Sequence, residues 1–215
     1  MTAPTARISA LMENPLEAKL TLGAVVSRIV KLNSGLQKFW SNSHGWAPIE
    51  AAGLLSKSRL DWQVSLSETL MLWITEPPKA LTAGELILAW TNLGSLVEGT
   101  LKTFLSVWYK DYANDIDNLK LANVYNKKKD KILEPDGLTI EPLRKYFEQK
   151  KLLSQPSCAF VVLVQQRRNA IHAFKNKEIG TTEEFEASVR MYLEMLREVN
   201  NRLPYPDDPY MPQEI

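Results

Sequence analysis

Residues 82 to 108 hold the feature that most narrows the folds open to this chain. Thr82 and Glu85 stand three apart, the reciprocal capping pattern of a helix N-terminus. Behind them apolar residues recur at helical spacing through Leu86, Leu88, Trp90, Leu93, Leu96, Val97, Leu101, Phe104, Leu105 and Trp108, with Glu98 as an acid embedded in the run. The spacing predicts the longest and most central helix of the fold.

The rest of the chain follows the same period. From Pro15 to about Trp40 the apolar positions are helical but interrupted at Asn33 to Gly35, which fits one kinked helix or two. Residues 48–56 and 59–75 read as further helices, although the alternation over 60–66 also fits a short strand, and Pro77 and Pro78 end that run. Residues 110–137 carry Asp111, Asp115 and Asp117, then Lys127 to Lys131, and read as an exposed, partly helical, solvated excursion. A short amphipathic helix over 140–152 is broken by KLLSQPS. The next helix is expected over Ala159–Phe174, and a last one starts behind a Thr181/Glu184 capping pattern and runs through Val199. The expected fold is all-α, a helical bundle at residues 81–203 with an N-terminal helical cap over 1–80. Residues 204–215, crowded with proline and aspartate, are expected to lie extended on the surface.

Composition bounds the function. In 215 residues, 26 Lys and Arg offset 25 Asp and Glu to leave a net charge of +1, so any polyanion site has to be a local patch. One cysteine and two histidines are too few for a zinc cluster of nitrogen and sulfur ligands, and no metal or other cofactor is expected. The N-terminus lacks the pattern of a secretory signal, and no stretch is long and apolar enough to span a bilayer, so the expected location is the cytoplasm. Cys158 reads as a small buried hydrophobe and His44, beside Gly45, as an exposed loop histidine. The six tryptophans, Trp40, Trp46, Trp62, Trp73, Trp90 and Trp108, sit mostly at periodic apolar positions and are expected to pack in the core.

The stretch QQRRNAIHAF, residues 165–174, is the candidate site. On a helical wheel at about 100° per residue, Arg167 falls on the apolar face with Phe160, Leu163, Val164 and Ile171. Arg168, Asn169 and His172 fall on the adjoining sector with Gln165, so Arg168, Asn169 and His172 can converge on one small object. Imidazole can exchange protons near neutrality, guanidinium supplies forked donors and a permanent charge, and an amide can orient a phosphate. This set suits cleavage of a phosphodiester by a ribose 2′-hydroxyl without a metal. One chain offers one such histidine, and a symmetric dimer would supply two. Arg167, inside the apolar stripe, requires a buried partner, and Glu98 is the expected one.

An all-α chain whose late helix ends in Arg167, Arg168, Asn169 and His172 resembles the HEPN superfamily (higher eukaryotes and prokaryotes nucleotide-binding). LGSLVEGTLKTFL, residues 93–105, is similar to that family's earlier core helix with its embedded acid, here Glu98. The resemblance spans roughly residues 82–203. Four residues separate Arg167 from His172 as in the family's signature, but Asn169 follows Arg168, which leaves only three, so either arginine can be the signature one. The resemblance implies a homodimeric bundle and a metal-independent endoribonuclease of the toxin-antitoxin or antiviral-defence kind, with His172 as acid and base. Arg168, Asn169 and Arg167 are then the further candidate catalytic residues and Gln165 a binding residue. RNA or a nucleotide is the implied ligand and an antitoxin protein an implied partner. Many members are non-catalytic modules that bind nucleotides, RNA or protein, and that alternative stays open here.

Overall fold

The computed structural model describes residues 20–75, 79–126, 131–172 and 176–215. The expected helix start near Pro15, the Pro77–Pro78 terminator, the Lys127–Asp130 part of the charge run and residues 173–175 of the expected motif helix lie outside them. Within them the fold is all-α, as the periodicity implied. Helices α1 (Leu22–Trp40), α2 (Ile49–Lys57), α3 (Leu60–Glu68) and α4 (Ala83–Val107) are followed by two short helices, α5 (Tyr109–Asn114) and α6 (Ile116–Leu121). Helices α7 (Ile140–Gln149), α8 (Gln155–Arg168) and α9 (Thr182–Asn200) complete the set. A two-residue antiparallel ladder joins β1 (Tyr125–Asn126) to β2 (Lys131–Ile132), with Tyr125 opposite Ile132. Among the described residues no helix is long and apolar enough to cross a membrane.

Helix α4 forms because both halves of its capping box are made: Glu85 N–H donates to the Thr82 hydroxyl, and Thr82 N–H donates to Glu85 Oε2 at 2.8 Å. At about 1.5 Å per residue its 25 residues span about 37 Å. Ala89, Trp90, Leu93, Leu96, Val97 and Leu101 are fully sequestered along it. A helix apolar on that much of its surface must be packed on several sides. Helices α2, α3, α7, α8 and α9 do so, and α1 closes the outside against α3 and α9. Buried apolar side chains from Val25 to Leu203 form one contiguous core to which the helices within 22–73 contribute.

Three expectations are revised, and one open alternative, the strand over 60–66, is decided for the helix. First, α1 runs through Asn33–Gly35 without a break, and Gly35 serves there for close approach of the tail: a Cβ would lie 2.6 Å from Pro212 Cβ. Second, residues 60–68 are helix, not strand. Leu60, Gln63 and Ser67 turn inward at helical spacing, and a 3-10 turn at Thr69–Trp73 ends the run. Third, the described residues within 110–137 are tied down by buried Tyr112, Leu119, Ala122, Val124 and Pro135, with Tyr112 Oη donating to Leu133 O. Burial, together with neighbouring tyrosines and Glu134, raises the Tyr112 pKa well above the ordinary tyrosine value. Fourth, Trp40 and Trp90 are core, but Trp46 and Trp62 are exposed.

The tail is not merely extended. Pro212 is buried and its carbonyl accepts from Asn200 Nδ2 at 3.1 Å, while Glu214 is gripped by Arg197 (2.6 Å) and Arg28 (2.9 Å) across α9 and α1. Trp40 Nε1 donates to the Tyr205 hydroxyl, which donates to Asn200 Oδ1. His44 is an exposed loop residue and Cys158 is half-buried. Burial pushes the Cys158 thiol pKa up, with Glu148 and Glu198 adding to the shift.

A buried polar knot orients three helices. Gln63 Nε2 on α3 donates to Leu96 O (2.7 Å), to the Thr100 hydroxyl (3.2 Å) and to Tyr192 Oη (3.3 Å), with Thr100 and Tyr192 3.0 Å apart. Gly99 makes room for it, since a Cβ there would lie 2.2 Å from Gln63 Oε1. Gly99→Ala is expected to cost about 1–3 kcal/mol and lower Tm by several degrees. Gly53→Ala, in the interior of α2 with nothing within 4 Å of the new methyl, is expected to raise stability by about 0.5–1 kcal/mol. Thermal and urea unfolding of the two variants beside the parent checks the opposite signs.

Candidate functional site

The site begins where α8 is set up. Ser154 caps the helix and Pro156 occupies its first turn, so the QPS segment read as a breaker is in fact a helix start. Glu198 of α9 holds this end by accepting from Ser154 N (2.6 Å) and from the Ser154 and Ser157 hydroxyls (2.8 and 2.6 Å). Phe160, Val161, Leu163 and Val164 seat α8 against α4 and α9.

The helix then ends at Arg168, earlier than its periodicity implied. Two arginines in the last turn complement the carbonyl end of the helix dipole, and Asn169 opens a 3-10 turn, Asn169–Ile171, that leaves His172 at its close with φ −83° and ψ 78°. The continuous wheel over 159–174 therefore fails at the motif itself, because a 3-10 turn advances about 120° per residue instead of about 100°. Ala170 is buried, whereas Ile171 and His172 are exposed.

Arg167 is buried, as its place in the stripe required, but its partner is not Glu98. Nε and Nη2 grip Glu184 Oε1 and Oε2 at 2.6 and 3.1 Å, and Nη1 donates to Glu178 O and Oε2 at 2.9 and 3.1 Å. Burial alone would lower the Arg167 pKa, and the two carboxylates outweigh it and raise it. Glu184 is accordingly only half of the expected capping box. Its N–H donates to the Thr181 hydroxyl, but its side chain turns to the guanidinium, where charge neutralisation in a dry site matters more than a second cap bond. Gly180 permits this turn: its φ is +72°, and a Cβ would sit 2.6 Å from Glu184 Oε1. Arg167, one of the candidate catalytic residues, is thereby a structural ion pair.

Glu98 instead meets Arg168, whose Nη1 lies 2.5 Å from Oε2, while Lys102 Nζ lies 2.9 Å from Oε1. Arg168 reaches it by laying its stem over Gly94, where a Cβ would be 2.5 Å from Arg168 Cδ. The wheel misassigned the pair because it placed both arginines on one element but not the depth of each neighbour. Burial works to raise the Glu98 pKa, but hydrogen bonds from Lys102 and Arg168 and their charges bring it below the ordinary carboxylate value. Gln165 faces away from the motif, its Oε1 accepting from Arg144 Nε of α7 at 2.8 Å.

Arg168, Asn169 and His172 are thus brought to one end of α8. Among the described residues no side-chain hydrogen bond joins the three, and a backbone bond runs from His172 N to Asn169 O at 3.5 Å. In the sequence Glu184 reads as a cap and not as the partner of Arg167, while Glu178 and the packing roles of the two glycines were missed. A glycine followed four residues later by an acid in the first turn of a helix, opposite an unassigned buried arginine, was the available signal. Comparison with protein-family models, curated proteins and solved structures returned no match to this chain.

Glu184→Gln is expected to destabilise by about 1–3 kcal/mol, because it leaves the buried Arg167 charge matched only by the exposed Glu178 carboxylate. The double substitution Arg167→Met with Glu184→Gln is expected to recover part of the loss, read by chemical denaturation. For Glu98 the folded pKa is depressed, so its contribution is present above the unfolded carboxylate value and is lost as pH falls through the folded one. Glu98→Gln is therefore expected to flatten the fall in Tm between about pH 5 and pH 3, where carboxylates titrate.

Proposed function

We propose that this chain is a HEPN-like, metal-independent endoribonuclease of the toxin or defence-effector kind, acting as a homodimer. The observation that carries the reading is the end of α8: an exposed His172 four residues after an Arg168 that Glu98 holds from one side. Only Nη1 of Arg168 is engaged among the described residues, which leaves Nε and Nη2 as donors for a phosphate oxygen. In this reading one imidazole takes the proton of a ribose 2′-hydroxyl as its oxygen bonds to phosphorus. The imidazole of the second copy donates a proton to the departing 5′-oxygen as the P–O5′ bond breaks, leaving a 2′,3′-cyclic phosphate. Arg168 and Asn169 hold the phosphate, and Glu98 orients Arg168. RNA is the substrate, and an antitoxin protein is the partner that would restrain it.

A second reading, a non-catalytic module binding a nucleotide, RNA or protein, is favoured by one specific fact: the Arg168 charge is already matched by Glu98. Incubating purified protein with RNA in EDTA separates the two. Under the nuclease reading the parent cleaves and leaves cyclic phosphate ends, while His172→Ala lowers the rate by about 10²–10⁴-fold with its helical circular dichroism unchanged. Arg168→Ala is expected to act in the same direction. Saturable RNA binding without cleavage by a dimer of the parent would give the second reading instead.

A further inference from the structure

Away from the end of α8, a cleft of about 430 Å³ opens between α2, α3 and α4. Lys57, Arg59 and Trp62 form one wall, Gly99 and Lys102 the other, and Gln63 lies between them. Trp62 is 58% exposed, an unusual placement for so large an apolar ring, and the Arg59 guanidinium lies 4.0 Å from its centroid. Arg59 is aligned there by Asp61, through bonds of 2.8 and 2.5 Å. Lys102 enters the cleft with Asp136 O and Glu98 as its partners, at 3.1 and 2.9 Å.

Gln63 adds an independent observation. Its residue exposure is only 9%, and its amide nitrogen is committed to Leu96 O, Thr100 and Tyr192. Because a backbone carbonyl can only accept, that bond fixes which end of the amide is nitrogen. Oε1 is therefore turned toward Gly99, which has no side chain, and the side-chain bonds of Gln63 among the described residues are all made by Nε2. The cleft thus combines an oriented carbonyl acceptor, an indole-guanidinium stack and two lysines. An acceptor wants a ligand N–H, a stack wants a flat ring, and Lys57, beside a Lys102 already shared with Glu98, offers its charge to an anion. A nucleoside phosphate has all three.

We infer that this cleft is a nucleoside-phosphate site, with the base stacked on the Arg59–Trp62 pair, an N–H of the base on Gln63 Oε1 and the phosphate toward Lys57 and Lys102. The nucleotide is either free or one unit of a single-stranded RNA. The site is separate from His172 and does not rest on the nuclease reading.

Isothermal titration of the full chain with AMP, GMP, CMP and UMP tests it, beside adenosine and ribose 5-phosphate as fragments. At least one nucleotide is expected to bind with Kd below about 1 mM, and each fragment more weakly. Trp62→Ala is expected to weaken that binding by about 5- to 150-fold, with an unchanged melting curve because the ring is mostly exposed. Lys57→Ala is expected to weaken it most at low salt and to flatten its salt dependence. Competition by a twelve-residue single-stranded RNA assigns the nucleotide to a chain, and its failure to compete assigns a free nucleotide. His172→Ala is expected to bind like the parent. The inference is overturned if neither nucleotide nor RNA binds saturably up to about 5 mM, or if binding survives Trp62→Ala undiminished or is lost in His172→Ala instead.

Discussion

An arginine that folding carries into an apolar helix face has to meet a carboxylate there, because an unpaired guanidinium in a dry interior costs several kcal/mol. Arg167 meets Glu184 with two of its nitrogens and Glu178 with the third. Those contacts bring the C-terminal end of α8 and the first turn of α9 together, with Gly180 supplying the turn and the space. Arg168, on the next position, is then directed toward α4, where Gly94 admits its stem and Glu98 receives its charge. The placement of residues 168–172 follows from that buried pair more than from any property of their own.

Apolar contact supplies cohesion here but little direction, since it scales with area and is indifferent to angle. Direction comes from a few polar ties set between helices. Gln63 joins α3 to α4 and α9, Glu198 joins α9 to the start of α8, and Glu214 straps the tail across α1 and α9. Asn92 does the same for the 3-10 turn before α4, accepting from Trp73 Nε1 and Thr69 Oγ1 and donating to Leu66 O. Each tie is largely satisfied, so each restricts how its helices can rotate without leaving a costly orphan group.

Glu98 stands at a junction. Its two oxygens face different cations, Arg168 toward the end of α8 and Lys102 toward the cleft beside α3. The candidate ribose-phosphate site and the candidate nucleotide cleft therefore share a carboxylate of the central helix while drawing on different surfaces. An imidazole at one and an indole at the other are exposed to solvent, in a bundle that buries many of its large side chains.

Helical period, the Thr82–Glu85 box and the long apolar run were sufficient for the all-α class and for the central helix, because those signals act within a few residues of chain. The same local logic recognised that Arg167 belongs inside. It could not say which acid would meet it, or that Glu184 would abandon its cap, because that choice depends on how deep each carboxylate lies once α8, α9 and α4 are packed. Nor could a uniform wheel foresee a 3-10 turn at Asn169–Ile171, or that Trp62 would face outward while Trp90 faced in. Local sequence set the elements, and only tertiary packing decided which charges pair, since pairing energy depends on burial and distance between segments far apart in the chain.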